Sequence, residues 1–282
     1  MIEIKDLADR RVSDYTHVGE PDWVRERGLF VAEGRLVVCR LFETSINVHS
    51  VLVTGAALAA LSDSLDSDRC PIYVCDQDTM NRLAGFNFHR GCLAIAERPP
   101  AIDPLERFAD ARCLIALEGI GNPDNVGGLF RVAAAFGVDG VVLDRTCGDP
   151  FYRKAIRTSM GSTFRVPFAK IDSWLATIGS LSDRGADLVA LTPDPAAATL
   201  ADFTRKRGAK RPIILMLGAE GPGLSKDAMA AATTNVRIPI RADIDSLNVV
   251  VAAGIALSVL SDPARVSESA SSATRLNGPR PQ

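Results

Sequence analysis

The sequence predicts an α/β protein of two domains. Three observations carry that expectation: apolar strand-like runs alternate with helical stretches, a proline-rich break interrupts them at residues 98–111, and the runs beyond the break are almost continuously apolar. Length agrees, since 282 residues exceed one domain at about 150 residues each. A hydrophobic content of 47% is enough for globular cores and excludes a disordered chain.

Before the break, strands are expected at Leu29–Ala32, Val48–Thr54, Pro71–Cys75 and Cys92–Ala96, with helices around 34–45, 56–61 and 77–84. That alternation is βαβ logic. The pattern leaves residues 1–25 unassigned. Beyond the break, strands are expected at Cys113–Leu117, Gly140–Leu143, Arg165–Phe168, Leu188–Leu191, Ile213–Leu217 and Val236–Ile240, and a last helix at Leu247–Leu260. Strands apolar on both faces imply a mostly parallel sheet covered on both sides. The organisation expected is a first domain over 1–97, a linker over 98–111, a second domain over 112–262, and a disordered tail over 263–282, rich in Ser, Ala, Pro and Arg.

Lys+Arg (32) nearly cancels Asp+Glu (34), which excludes a uniformly basic nucleic-acid binder, so any polyanion must be held locally. Residues 1–111 are acid-leaning, with 12 Lys+Arg against 18 Asp+Glu. Arg145, Arg153, Lys154, Arg157 and Arg165 face only Asp149 in their stretch, and Arg205, Lys206, Arg207, Lys210 and Arg211 form a second cluster. Each is either a solvated face or a polyanion contact. The longest uncharged apolar stretch, Ser246–Ser261, is sixteen residues, short of the roughly 18 that span a bilayer. Glu3, Lys5, Asp6 and Asp9 leave no apolar core for a secretory signal, so a cytoplasmic protein with no membrane partner is expected. Six cysteines make no CxxC pair and only three histidines are present; reduced packing cysteines and no metal site are expected.

Three segments carry chemistry. In Leu117–Val138, Asn125 is a candidate N-cap for a helix starting near Val126. Gly127 and Gly128 in its first turn cost about 1 kcal/mol each, which implies that a ligand or another chain approaches the backbone. Arg131, the only charge between Val126 and Val138, must reach a carboxylate such as Glu118, a phosphate or solvent. In Ile213–Ser225, Gly218 and Gly223 have P-loop spacing, but Leu224 stands where Lys is required. The dinucleotide fingerprint fails too, at Asp124. What remains is Glu220 at a strand's carboxyl end, where open α/β sheets bind ligands. In Val236–Leu260, Ser246 is a candidate helix cap, and Asn248, on an otherwise apolar helix, needs a partner for its amide.

Taken in order, NPDNVGG followed by Arg131, LGAEGPGLS, and IPI followed by SLNVVVAAGIA resemble the three motifs of the SpoU (TrmH-type) branch of the SPOUT RNA methyltransferases, over roughly residues 112–262. RTSMGSTFRVPF (157–168) is also similar. More loosely, RGLFVAEGRLVVCRLFE (27–43) and HRGCLAIAE (89–97) resemble the small α/β ribosomal-protein-like domain that binds substrate in that family. The resemblance implies a C-terminal SPOUT-type parallel sheet with a deep trefoil knot, S-adenosyl-L-methionine as cofactor, a homodimer with two subunits building each active site, and methylation of a ribose 2'-hydroxyl. Residue by residue it implies Asn125, Arg131, Glu220, Ser246 and Asn248 as catalytic. Thr192, Leu217, Gly218, Ala219, Glu220, Gly221, Ile238, Pro239, Ile240, Ser246, Leu247 and Asn248 would surround the cofactor. Arg131, Arg145, Arg153, Lys154 and Arg157 would contact RNA, with ribosomal RNA favoured over transfer RNA because of the appended domain. Methyl transfer from a sulfonium needs an aligned nucleophile rather than a metal. A guanidinium of pKa above 12 would cost at least about 7 kcal/mol to deprotonate at pH 7, so Arg131 is expected to act as a cation. The competing readings are a SPOUT base methyltransferase acting on tRNA, or an RNA-binding module of the same fold without catalysis. A nucleotide-binding oxidoreductase or hydrolase is disfavoured by the motif failures.

Overall fold

The structure, a computed structural model, describes residues 1–85, 87–207 and 211–261. The tail expected at 263–282 lies outside the described residues. In chain order the strands are β1 (Ile2–Glu3), β2 (Leu29–Glu33), β3 (Val48–Thr54), β4 (Ile72–Cys75), β5 (Cys92–Glu97), β6 (Cys113–Glu118), β7 (Gly140–Asp144), β8 (Phe168–Ile171), β9 (Asp187–Leu191), β10 (Ala198–Thr199), β11 (Ile213–Gly218) and β12 (Thr234–Arg237). The helices are α1 (Pro21–Glu26), α2 (Arg35–Phe42), α3 (Gly55–Leu61), α4 (Gln77–Ala84), α5 (Pro104–Arg107), α6 (Pro123–Ala135), α7 (Arg153–Thr158), α8 (Trp174–Ser182), α9 (Leu200–Lys206), α10 (Lys226–Ala231) and α11 (Val249–Leu260). The described residues form two compact units, one of Met1–Pro100 with Asp149–Arg165, the other of Ala101–Gly148 with those from Val166 to Ser261.

The first unit is built on a five-stranded sheet of order β1-β4-β3-β5-β2. The βαβ expectation holds for β3–α3–β4, a parallel pair. It fails for β2 and β3, because β5 lies between them and runs antiparallel to both. Both β2 and β5 are buried along almost their whole length, and an apolar run of that kind does not disclose its direction. Residues 1–25 fold onto this unit through a 3₁₀ turn at Arg10–His17, whose Val12 and Tyr15 are fully buried. The Tyr15 hydroxyl shares a 2.9 Å hydrogen bond with Ser50 Oγ, meeting the need of a buried phenol for a partner.

Residues 149–165, expected in the second domain, pack in the first unit. Arg98 forks onto Asp149 at 3.1 and 2.6 Å, Phe151 stacks on Phe30 at 4.8 Å between centroids, and Arg40 donates to the Met160 carbonyl at 2.5 Å. The segment changes the charge of the unit, which holds 15 Lys+Arg against 16 Asp+Glu once these residues are included.

The second unit is a seven-stranded, wholly parallel sheet of order β10-β12-β9-β11-β6-β7-β8. Its core includes Leu114, Ala116, Val142, Trp174, Ile214 and Met216. Two strands sit a few residues from their expected places. β8 starts at Phe168, because Ser162–Phe164 form a 3₁₀ turn and Pro167 has no N–H for a ladder. β12 stops at Arg237, ahead of Pro239. The expected linker is mostly folded: from Ala101 onward it belongs to the second unit, with α5 capped by Asp103. Phe108 packs where a Cβ on Gly140 would be, 2.1 Å from its ring. A similar close approach accounts for Gly128, whose Cβ would lie 2.7 Å from Val250 Cγ2. The neighbour at the α6 backbone is therefore α11 of the same chain. Among the described residues no helix is long and apolar enough to cross a membrane.

All six cysteines are free, and all but Cys39 are buried. Burial pushes the Cys92 and Cys147 thiols up to about 12 and Cys75 up to about 11. A disulfide exchange reagent at pH 8 is therefore expected to titrate at most one thiol rapidly in native protein and six after unfolding. Fast reaction of two or more in the native state contradicts this packing.

Candidate active site

The site grows from turns at the carboxyl ends of adjacent parallel strands. After β11, Gly218 lies so close to the returning loop that a Cβ would sit 2.1 Å from the Gly223 carbonyl carbon and 2.2 Å from Leu224 N. The loop is closed by a 3.0 Å bond from Gly223 N–H to the Ala219 carbonyl. Gly221 and Gly223 take φ of +87° and +70°, a region that favours glycine. The result is a tight turn with Glu220 near its tip.

The helix starts differ from expectation by two or three residues. Asn122, not Asn125, caps α6, its side chain accepting from Asp124 N–H at 2.9 Å, with Pro123 in the first helical position. Asn125 therefore falls in the first turn and is buried. Asn248, not Ser246, caps α11, its Oδ1 accepting from Val250 N–H at 2.9 Å. The same amide donates through Nδ2 to Asn125 Oδ1 at 3.1 Å and to Glu220 Oε1 at 3.0 Å. One side chain thus joins α6, the β11 turn and α11.

Beside this junction opens a cavity of about 440 Å³, lined by residues that follow β9, β11 and β12 and by the first turn of α11. Of the residues expected around a cofactor, Thr192, Leu217, Gly218, Ala219, Glu220, Gly221, Ile238, Ile240, Ser246, Leu247 and Asn248 line it; Pro239 does not. Leu191, Pro193, Gly223, Val249 and Ala252 also line it and were not anticipated. Leu191 ends its strand and Ala252 lies one helical turn beyond Asn248, so strand ends and helix period held the missing signal. The lining is mostly apolar with a few polar groups, as small-molecule sites are.

The basic residues are dispersed. Arg131 is exposed on α6, outside the cavity lining, and the tether to Glu118 is not made, since Glu118 Oε2 accepts from Ser225 N–H at 2.8 Å. Arg145 is exposed after β7, beside an opening that includes Glu118, Asp144 and Trp174. Burial alone would raise the Asp144 carboxyl, but hydrogen bonds from Cys147, Thr146 and Gly119 N–H hold it below the usual carboxylate range. Arg153, Lys154 and Arg157 lie on α7 in the first unit, where Arg153 and Arg157 face Glu33. In the second basic cluster Arg207 and Arg211 pair with Asp187 at 3.4 and 3.3 Å, and Arg205 with Asp202; Lys210 lies outside the described residues.

The cavity lies at the carboxyl ends of a parallel sheet and is walled by glycine turns, the place where open α/β sheets bind ligands. The model of the SpoU rRNA methylase family matches residues 112–258. A Mycobacterium bovis protein described as an uncharacterised tRNA/rRNA methyltransferase is 37% identical over 258 residues, covering 90% of this chain and 89% of its own. A Nitrosomonas europaea 23S rRNA (guanosine-2'-O-)-methyltransferase is 31% identical over 190 residues, 66% of this chain and 71% of its own. The AdoMet-bound rRNA methyltransferase of Sinorhizobium meliloti shares the fold, with a TM-score of 0.76 at 23% identity over 92% of this chain and 96% of that one. The chain belongs to the SpoU rRNA methylase family and is a methyltransferase.

Two substitutions probe the site. Gly218→Ala drives a methyl into backbone and is expected to cost about 1–3 kcal/mol in urea denaturation. Asn248→Ala removes a cap and both bridging bonds, a loss of about 1–2 kcal/mol at an exposed position. Wild-type stability in either variant contradicts the geometry above.

Proposed function

We propose that the protein transfers the methyl group of S-adenosyl-L-methionine to a ribose 2'-hydroxyl of RNA, with ribosomal RNA the favoured substrate. The observation that carries this reading is the joint of Asn125, Glu220 and Asn248 at the rim of a cavity sized for a small cofactor. When bound, the cofactor supplies an electrophilic methyl group. The apolar walls and glycine backbone suit the flat adenine ring of such a molecule, while Thr192, Ser246 and Asn248 supply polar contacts. Support for the cofactor comes from the Sinorhizobium structure with AdoMet, and for ribose from the Nitrosomonas relative.

In this reading the protein aligns the hydroxyl and leaves little chemistry to do, since alignment supplies about 7–11 kcal/mol of a barrier. Arg131 remains a cation that binds the adjoining phosphate and stabilises developing alkoxide. The departing proton goes to Glu220, to that phosphate or to water. In this reading Arg131, which stands outside the cavity lining of its own chain, serves the site of a second subunit. A homodimer with composite sites is further supported by α11, where Val251, Ile255 and Val259 recur every four residues and are 51%, 39% and 49% exposed. The reading includes the trefoil knot of the C-terminal domain, RNA contacts by Arg145 and the α7 basic residues, and a cytoplasmic location.

Mass spectrometry of ribose methylation in RNA from cells with and without the protein tests the substrate, and a methyl found only on a base selects the base-methyltransferase alternative. Absence of any cofactor binding in calorimetry selects the non-catalytic one. For the composite site, Arg131→Ala and Asn248→Ala homodimers are each expected to be inactive. Mixed subunits, after dissociation and reassociation, should recover up to about a quarter of wild-type turnover, because half of the dimers are mixed and each holds one intact site. Failure of the mixture to recover activity removes Arg131 from the partner's site.

A further inference from the structure

The turn that carries Glu220 stands on a residue outside the cavity lining. Both of its feet rest on Glu118. At one foot Gly218 ends β11 beside Glu118, its register partner at the end of β6. At the other foot the chain enters α10 through Ser225, whose backbone N–H donates to Glu118 Oε2 at 2.8 Å. The Ser225 hydroxyl is already used in capping α10, where it accepts from Ala228 N–H at 3.1 Å. Its own N–H therefore needs a separate acceptor. A carboxylate meets that need better than a neutral oxygen, because a hydrogen bond to an ionised acceptor is about twice as strong.

The stretch between the feet forms a wall of the cavity, which Gly218, Ala219, Glu220, Gly221 and Gly223 all line. Inside the turn, the 3.0 Å bond from Gly223 N–H to the Ala219 carbonyl fixes the shape of the loop, and Asn248 meets Glu220 at its tip. Glu118 fixes where the returning limb lands. Glu118 is itself held in place. Gly119, the residue after it, takes φ of +69° and donates its N–H to Asp144. A Cβ on Gly119 would stand 3.4 Å from Ala219 Cβ, so the turns that follow β6 and β11 lie side by side. The Glu118 side chain borders the neighbouring opening, with Asp144 and Arg145, and not the cavity that Glu220 lines.

We propose that Glu118 is a positioning residue for the cofactor: by holding the Ser225 N–H, its carboxylate keeps the 218–223 turn in the shape that receives S-adenosyl-L-methionine, without touching the cofactor. The proposal rests on the reading of the cavity as the cofactor site. A binding constellation has to be held within about 0.5 Å of its productive geometry by the groups behind it, and a limb released at Ser225 loses that restraint. The role requires an acceptor of the right reach and does not depend on the charge alone.

The test compares Glu118→Gln, Glu118→Asp and Glu118→Ala with wild type in the whole protein. Cofactor affinity is read by calorimetric titration with S-adenosyl-L-methionine, and the turn by amide hydrogen exchange over residues 219–225 without cofactor. Glutamine keeps an acceptor of the same reach, whereas aspartate keeps the charge but is one methylene short. The aspartate and alanine variants are expected to bind the cofactor about tenfold more weakly and to exchange faster over the turn. The glutamine variant is expected to stay within about threefold of wild type. Thermal melting establishes that each variant is folded at the temperature of titration, and should the alanine variant not fold, the glutamine and aspartate pair carries the test. A merely structural role lowers the melting temperature and leaves the affinity of the folded protein unchanged. An aspartate variant as tight as wild type, a glutamine variant that loses about tenfold, or faster exchange without weaker binding overturns the proposal. Wild-type protein that binds no S-adenosyl-L-methionine overturns the reading of the cavity and the proposal together, whereas equal binding by wild type and all folded variants overturns the proposal alone.

Discussion

One amide holds the candidate site together. Asn248 spends its carbonyl oxygen on capping α11 and both N–H donors on Asn125 and Glu220, so its hydrogen-bonding capacity is nearly saturated. No other residue type does all three. Serine or threonine caps but has no second donor, and aspartate caps but sets a negative charge beside Glu220. Asn248 is exposed, so water competes for each bond and the amide alone does not hold three segments. The close approach does that: α11 reaches α6 because Gly128 has no Cβ to meet Val250, and the β11 turn folds back because Gly218 has none to meet Gly223. Packing sets the distance, and the amide then selects the register.

Much of this was legible in the chain. Apolar runs marked most of the strands, and the glycine-punctuated segments marked the turns around the cavity. The errors have physical causes. Asn122 and Asn125 are both good caps, and so are Ser246 and Asn248; Pro123, favoured at the first helical position, was the signal that chose Asn122. In the first unit, β5 lies between β2 and β3, and no local pattern states which strand an apolar run will pair with. At 98–111, three prolines and mixed charge looked like a linker, yet Phe108 is 3% exposed; one buried aromatic outweighs a polar neighbourhood.

The basic clusters were the least legible part, because a side chain's net charge environment is set by residues remote in sequence. Arg165 finds Glu43 across 122 positions, and Asp187 takes up both Arg207 and Arg211. Counting charges in a window treats these as free. The segment 149–165 shows the same limit at larger scale: covalently it interrupts the second unit, but Phe151 and Phe164 pack on Phe30, and that apolar contact decides its allegiance. With these residues the first unit is nearly neutral, and in the reading proposed phosphate attraction depends on local clusters more than on totals.

Glu220 and Asn248 are open to solvent in the single chain. In the reading proposed, methyl transfer needs a hydroxyl oxygen held near the donor with water kept away, because charges and dipoles act more strongly where the dielectric is low. The glycine turns cannot supply that cover, being small and lacking side chains. The apolar stripe of Val251, Ile255 and Val259 starts within one helical turn of Asn248, too regular for a solvated face, where α11 would be expected to show charge. A second copy laid on this stripe would bury apolar surface near the rim of the cavity and bring an arginine from outside it. Dimer formation and site assembly would then be one event, driven by the hydrophobic effect rather than by the polar groups that do the chemistry.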